Sequence, residues 1–471
     1  MILQSVKEFL KPFLLKFKIF RIYQSLKRSY YKKTGLRRYV KRYKRLLNEV
    51  GSKGTKKRIV VVGHMYTEKK HSLYDIFSRI EEEAEGKVEF VTLDEIANNA
   101  DHLWEKKFKR VRLPAFIYFD IHENTISLDC ETVYENNGYI QNAVAYWMKK
   151  GFDEYSAKYY AALYKYAYEQ MIQILQPDQV LIWNQFMASH MICDHVCKAN
   201  GIPVEYIEYG VLPGTYACEN LGQMGASYPA RESEAFINLP VTEEQLQHAD
   251  RVWAFLKASG LNRNKQNDDN VVSRIQSRMM KDRPIIIFAG NYDTDSGIVP
   301  YTEEAKAFHS PFFESSFDAM LYLAQLAERN QWNLIFKPHP LDIERIDVSR
   351  IPEHVIYVAS GNLNDLIDYA DVVVTIMSQT AYVSCIRETA TVMLGYNQLR
   401  NKGCIYQPET KADIENELSK AIECGYTESQ RTAFRKHIAQ MCTYYLFDDN
   451  TDRELRYGQS VEAFGHYLLK E

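Results

Sequence analysis

The chain contains no apolar run of the roughly 18 residues that a membrane-crossing helix needs. Lysines interrupt residues 1–26 every few positions, and no small-residue cleavage site follows, so no secretory leader is read there. Eight cysteines, at 130, 193, 197, 218, 385, 404, 424 and 442, include no Cys-x-x-Cys pair, and Cys193 and Cys197 lack nearby histidines. That pattern excludes a disulfide framework and a thiolate metal centre, and leaves buried free thiols in a reducing compartment. The Walker loop, Gly-x-Gly-x-x-Gly, His-Glu-x-x-His and the serine elbow are also missing. Their absence removes the usual P-loop, dinucleotide, zinc-protease and serine-hydrolase sites. Asp293-Thr-Asp295 has metal-ligand spacing, but no second carboxylate cluster accompanies it, and metal-independent chemistry with no cofactor is expected.

What is present is ample for two or three cores: 471 residues, 46% hydrophobic and 25% charged, without repeats or low-complexity tracts. The net charge of −3 hides an asymmetry, because residues 1–58 hold 19 Lys/Arg against Glu8 and Glu49 alone. A basic arm on an acidic body implies a polyanionic partner for the arm. Residues 1–50 read as an amphipathic helical arm, kinked at Pro12, in which Tyr30, Tyr31, Tyr39 and Tyr43 alternate with Arg and Lys. Aromatic plus basic chemistry suits an anionic membrane surface; a helix packed on the body and a nucleic-acid contact are the alternatives. Nucleic acid is set aside, since an arm on an acidic globule is not an RNA-binding domain.

Beyond the Gly51–Gly54 linker, apolar strands alternate with helices. Arg58–Gly63 reads as the first strand, leading into His64, and a tyrosine-rich helix covers about 152–175. Strand 178–183, helix 186–199 and strand 204–208 make a βαβ unit. A second series has strands at 284–290, 333–337, 354–358, 371–376 and 391–395, with helices between them. All-apolar strands separated by helices imply parallel sheets covered on both faces. The fold class expected is α/β with two Rossmann-type doubly wound domains and a ligand cleft between them: an arm at 1–50, an acceptor domain at 57–262 and a nucleotide-sugar domain at 283–440. A C-terminal helix at 441–471 is expected to pack back on the first domain, and the polar stretch 262–283 reads as the connection.

Three loops after strand ends carry chemistry in the second series. Gly290, Asn291, Ser296 and Gly297 lie in a glycine-bounded polar loop that allows close backbone approach to a ligand. Lys337-Pro-His339-Pro places a cation for phosphate neutralisation beside an imidazole that can donate to a phosphate or ribose oxygen. Ser378-Gln379-Thr380 opens a helix, where backbone N–H groups and a hydroxyl meet an anion. Any one is a common loop feature; all three on neighbouring strand ends point to a phosphorylated ligand. In the first series Glu208 leaves its strand before Gly210. It either deprotonates an acceptor hydroxyl or accepts backbone N–H bonds in a turn. Asn184 and Gln185 are placed to hydrogen-bond a polyol, and Asp120 and His122 are weaker candidates.

At these residues the chain resembles the capsular polysaccharide biosynthesis glycosyltransferases, the group that includes bacterial β-Kdo transferases, with a wider likeness to CMP-sialic-acid-dependent enzymes. The resemblance runs over roughly 178–400 through Glu208-Tyr209-Gly210, Gly222–Gly225, Lys337-Pro338-His339-Pro340 and Ser378-Gln379-Thr380. It implies a GT-B fold, a CMP-linked sugar donor, and donor phosphate held by His339, Ser378 and Thr380 with Glu208 near the reacting carbon. The acceptor implied is lipid-linked or a growing glycan, met at the inner face of the cell membrane. Ser384 stands where the family usually has glutamate, and Glu388-Thr-Ala replaces its Gly-Lys-Pro, so Glu388 is a candidate substitute contact to the donor. Two other readings remain: polyol-phosphate transfer from a CDP-linked donor, and a nucleotide-binding scaffold without turnover.

Overall fold

The computed structural model describes residues 36–63, 71–94, 109–112, 128–262, 271–449 and 453–469. His64, Asp120, His122 and residues 1–35 of the basic arm lie outside them. The chain divides into two compact units, Met1–Leu181 with Ala188–Val204, and Ile182–Met187 with Glu205–Glu471. The polar stretch 262–283 is therefore internal to the second unit, and the division falls within the stretch expected as the first domain.

In the first unit, β1 (Lys57–Val62), β2 (Val88–Asp94) and β3 (Lys109–Arg112) run parallel, with Lys57 opposite Val88 and Val91 opposite Lys109. β4 (Gln179–Trp183) lies on the other side of β1. Ile59–Val62 of β1 form an apolar run because helices cover the sheet, yet Arg58 just before them is only 1% exposed. That guanidinium donates from Nε to Glu89 at 2.6 Å, and to the carbonyls of Leu175 (2.7 Å) and Gly51 (3.0 Å). Lys109 Nζ takes the other Glu89 oxygen at 2.7 Å, and the two cations hold the Glu89 pKa below the carboxylate range despite burial. The buried charge is thus paired and fully hydrogen-bonded.

The helix Glu154–Leu175 starts at Asp153, whose carboxylate accepts the Ser156 N–H, and ends at Gln176 in the left-handed region. Its tyrosines are core residues: Tyr160, Tyr164 and Tyr168 are buried, and Tyr164 stacks on Trp147. The helix Leu36–Val50 packs here too. Tyr43 and Leu47 are buried, and Tyr43 donates to the Ala167 carbonyl at 2.7 Å. This corrects the expectation of one lipid-facing arm over 1–50: the apolar face of residues 43–50 is spent on the protein core.

The second unit contains the hairpin of β5 (Val204–Tyr209) and β6 (Thr215–Glu219), antiparallel with Glu208 opposite Ala217. Its main sheet is built from β7 (Ile285–Ala289), β8 (Asn333–Lys337), β9 (Ile356–Tyr357), β10 (Val372–Thr375) and β11 (Ala390–Met393). All are parallel, in the order β11-β10-β7-β8-β9. Alternate residues serve the two faces. Ile286, Phe288, Leu334 and Phe336 pack under the helix Ser316–Asn330, while Ile287, Ile335 and Ile356 meet Val271 and Leu366. Counted along the unit, this is the three-two-one-four-five order of a Rossmann sheet, and the α/β class with parallel, helix-covered sheets is as expected. Finally β12 (Leu446–Asp448) returns antiparallel to β6, and Tyr467 of the helix Val461–Leu469 donates to Glu205 at 2.7 Å. Among the described residues no helix is long and apolar enough to cross a membrane.

Candidate active site

The strand order reverses between β7 and β10, and parallel sheets bind ligands beyond the carboxyl ends at that reversal. A cavity of about 430 Å³ opens there within the second unit, lined among others by Glu208, Lys337, His339, Ser378 and Thr380. The spatial condition set by the sequence, that these side chains share one pocket, is met.

Asn291 fixes the two strand ends. Its Oδ1 accepts from Met377 N at 3.4 Å and from Thr375 Oγ1 at 3.4 Å. Its own N–H donates to Ser316 Oγ at 2.8 Å, and Ser316 donates on to Asp293 by hydroxyl (2.6 Å) and N–H (2.8 Å). Burial pushes the Asp293 carboxyl up to about 6 against those two donors.

Lys337 ends β8, and burial lowers its pKa, a cost that an incoming anion offsets. His339 is lowered to about 4, first by burial and then by the Lys337 charge, with Asp295 opposing. Leu341 N–H donates to its Nδ1 at 3.2 Å, so the imidazole is neutral at pH 7 with its proton on Nε2. Ser378 and Thr380 share a hydroxyl contact of 3.0 Å.

The helix that follows, Thr380–Ile386, is only seven residues, and its first donors are taken. Thr380 N–H goes to Ser378 Oγ (3.2 Å), Ala381 N–H to Ser378 O (3.1 Å) and Tyr382 N–H to Gln379 O (2.9 Å). The expected row of backbone N–H groups is therefore replaced by the two hydroxyls and the Gln379 side chain, which also lines the cavity. Likewise the Gly290 N–H is committed to Lys337 O at 2.9 Å.

Gln185, Gly210 and Gly297 do not line the cavity. Gln185 N–H is bound by Gln223 Oε1 at 2.7 Å. At Gly210 a Cβ would come within 2.0 Å of Thr215 Oγ1, and at Gly297, with φ of +88°, within 2.6 Å of His309. Both glycines serve close packing rather than a ligand. Ser296 lines the cavity while donating to Asp293 O at 3.3 Å. Asn184 lines it from a left-handed conformation, φ +57°. Its Nδ2 donates to Asp295 O at 3.1 Å and its Oδ1 accepts Phe186 N–H at 2.9 Å, so it braces the wall.

Glu388 also lies away from the cavity, ion-paired with Lys257 and Arg431, and Ser384 is buried with its hydroxyl donating to Thr389 O at 3.1 Å. Glu388 therefore does not supply the donor contact considered for it. Sequence reading missed Tyr292 and Asp295, which sit inside the loop it singled out, and Ala359–Gly361, which follows a strand it had placed. Proximity to a carboxyl strand end was the available signal for all three.

Glu208 shares one face of the hairpin with Glu219, which is held by the Tyr228 N–H (2.7 Å) and the Tyr445 hydroxyl. Burial first, then repulsion from Glu208 and Glu205, pushes Glu219 up to about 8. Among the described residues no group of three His, Cys, Asp or Glu could hold a metal ion. Cys193 and Cys197 are buried and form no disulfide; their sulfurs are in hydrogen-bond contact at 4.0 Å.

Residues 243–423 match the family of Capsule polysaccharide biosynthesis proteins. The match spans less than half of the chain. It contains the whole Rossmann sheet with Lys337, His339 and Ser378–Thr380; Glu208 and Asn184 precede the capsule-family segment. Similar solved structures include a KpsC beta Kdo 2,7 transferase of Thermosulfurimonas dismutans, 16% identical, covering 65% of this chain and 90% of that one, with a TM-score of 0.40. The KpsC beta Kdo 2,4 transferase of the same organism is 16% identical over 52% and 79%, with a TM-score of 0.37. The spinosyn rhamnosyltransferase SpnG is 10% identical over 88% and 100%, with a TM-score of 0.32. At these overlaps the likenesses add nothing to the fold already described. No curated protein matches the chain.

Proposed function

We propose that this protein is a GT-B-type glycosyltransferase of surface polysaccharide assembly that transfers a sugar from a CMP-linked donor to a glycan or lipid-linked acceptor. The observation that carries this reading is the convergence of Lys337, His339, Ser378, Thr380 and Glu208 on one cavity at the sheet's reversal point. The match of residues 243–423 to the capsule polysaccharide biosynthesis family supports the biological context. Charge favours a single phosphate. Among the described lining residues Lys337 is the one permanent cation, His339 is neutral, and Glu208 and Asp295 are acids. A single-phosphate linkage itself brings one negative charge to the cation, whereas a diphosphate linkage brings two and wants a second cation. The same count speaks against the CDP-polyol alternative.

In the proposed reaction the Glu208 carboxylate takes the proton of the acceptor hydroxyl. The acceptor oxygen bonds to the anomeric carbon as the carbon–oxygen bond to phosphate breaks. CMP leaves with one more negative charge, met by the Lys337 ammonium, the His339 N–H and the two hydroxyls, without a metal. The acceptor contacts expected of Gln185 and Gly210 are withdrawn, leaving Asn184 and Glu208 at the wall. Residues 1–35, with their lysines and aromatics, are proposed to hold the enzyme on anionic lipid at the inner face of the membrane. Deleting them should abolish binding to anionic vesicles, and unchanged binding would remove the anchor.

Calorimetric titration with CMP, CDP, UDP, GDP and dTDP tests the donor class. Selective binding of CMP, weakened in His339→Ala, is expected. Selective binding of a diphosphate, or no binding of any, would overturn the assignment.

A further inference from the structure

His339 is gripped by a closed set of contacts that its proposed phosphate role does not by itself require. Tyr292 stacks on the imidazole, ring centroids 5.5 Å apart and planes 26° from parallel. Arg345 lies over the Tyr292 ring, Cζ 5.6 Å from the centroid. Arg345 Nη1 pairs with Asp342 at 3.2 Å, and the Asp342 N–H donates back to the His339 carbonyl at 2.9 Å. Imidazole, phenol, guanidinium and carboxylate thus form one circuit, and inside it the Leu341 N–H occupies Nδ1. Tyr292 itself lines the cavity.

We propose that Tyr292 is a positioning residue: backed by Arg345, it holds His339 in one ring orientation and one tautomer, so that Nε2–H is offered to the phosphate of the bound nucleotide. The proposal rests on the cavity being a phosphate site and adds what keeps its imidazole in place. A neutral donor must be aimed, because it lacks the orientation-independent pull of a charge. The charged groups that act on this imidazole are Lys337 from β8 and Asp295 from the turn after β7; Glu208 lines the same cavity, and Asp342 and Arg345 pair in the loop that follows. Burial is the largest influence on its basicity, and the Tyr292 ring covers part of it. Without that ring, water reaches the imidazole and its pKa climbs from about 4 towards the ordinary 6.5.

The experiment uses the full chain with Tyr292→Leu and Tyr292→Phe, and His339→Gln to assign the signal. Imidazole NMR of the ligand-free protein reads the His339 pKa and tautomer. Calorimetry between pH 5 and 8 reads binding of the methyl ester of cytidine 5′-monophosphate, whose single phosphate charge does not titrate in that range. Tyr292→Leu is expected to raise the His339 pKa and to weaken the ester by roughly three- to tenfold at pH 8. Its binding should tighten relative to wild type as pH falls, while Tyr292→Phe restores wild-type values. An unchanged His339 pKa and tautomer in Tyr292→Leu would overturn the proposal whatever the ligand. If the NMR change appears but wild type ignores the ester, the nucleotide reading falls and the hold on His339 stands.

Discussion

The side-chain oxygen of Asn291, just past the end of β7, accepts the backbone N–H of Met377, just past the end of β10, at 3.4 Å. It is one bond across the point where the strand order reverses, beside the cavity that Ser378, Lys337 and His339 line. With the Ser316 and Thr375 contacts, the buried amide serves both strand ends at once. Asn291 is therefore a scaffold of the site rather than a ligand contact in the first instance.

Replacing it tests that role. Asn291→Ala should cost about 1–3 kcal/mol, because the Met377 N–H loses its acceptor in a buried place. A shifted denaturation midpoint together with weaker nucleotide binding is expected. Weaker binding at unchanged stability would instead make Asn291 a direct ligand contact.

Glu208 is expected to act on the acceptor alone. Glu208→Gln keeps the shape and removes the base, so turnover should fall by about 10²–10⁴-fold while CMP affinity stays within a few fold. Sugar-transfer kinetics beside calorimetry separates the two; turnover at the wild-type rate would exclude Glu208 as the base.

The pH dependence of stability should carry the signature of Glu219. Its pKa of about 8 in the folded protein lies above the ordinary 4.5, chiefly through burial. The folded state therefore holds this proton more tightly than the unfolded chain. The resulting stabilisation is complete below about 4.5 and is lost as pH rises through 8. Glu219→Gln, always neutral, should flatten the decline in melting temperature between pH 5 and 9 and be the more stable protein at pH 9. Parallel curves for the two proteins would contradict the assignment.

In the first unit, Arg58→Ala leaves Glu89 buried, with only Lys109 as cationic partner. Removing one partner of a buried pair costs about 3–5 kcal/mol, so a large drop in the urea midpoint is expected. Arg58→Ala with Glu89→Gln should recover part of it, since the uncompensated charge is gone; a double variant no better than the single would argue for lost packing instead.

Much of the architecture was legible in order along the chain. The runs at 178–183, 204–208, 284–290 and 333–337 became strands within a residue or two, because short segments rich in apolar and aromatic residues between helices and turns have few other uses. Lys337, His339, Ser378 and Thr380 were legible for the same reason, since residues following parallel strands share one edge. Arg58 was not, because a cation at the start of a strand looks solvated until Glu89 and two carbonyls are folded around it. Nor were the committed N–H groups of Thr380 and Ala381, which depend on the path of a single turn.

Local pattern by itself fixed which segments are strands and helices and which loops carry cation, imidazole and hydroxyls, since side-chain period and turn residues act over a few positions. Tertiary structure alone decided that Gly210 and Gly297 fill tight contacts, that Glu388 pairs with Lys257 and Arg431, and that Tyr292 lies on His339. Those outcomes depend on which distant atoms arrive within a few ångströms, and burial and hydrogen-bond energies take effect only once they have.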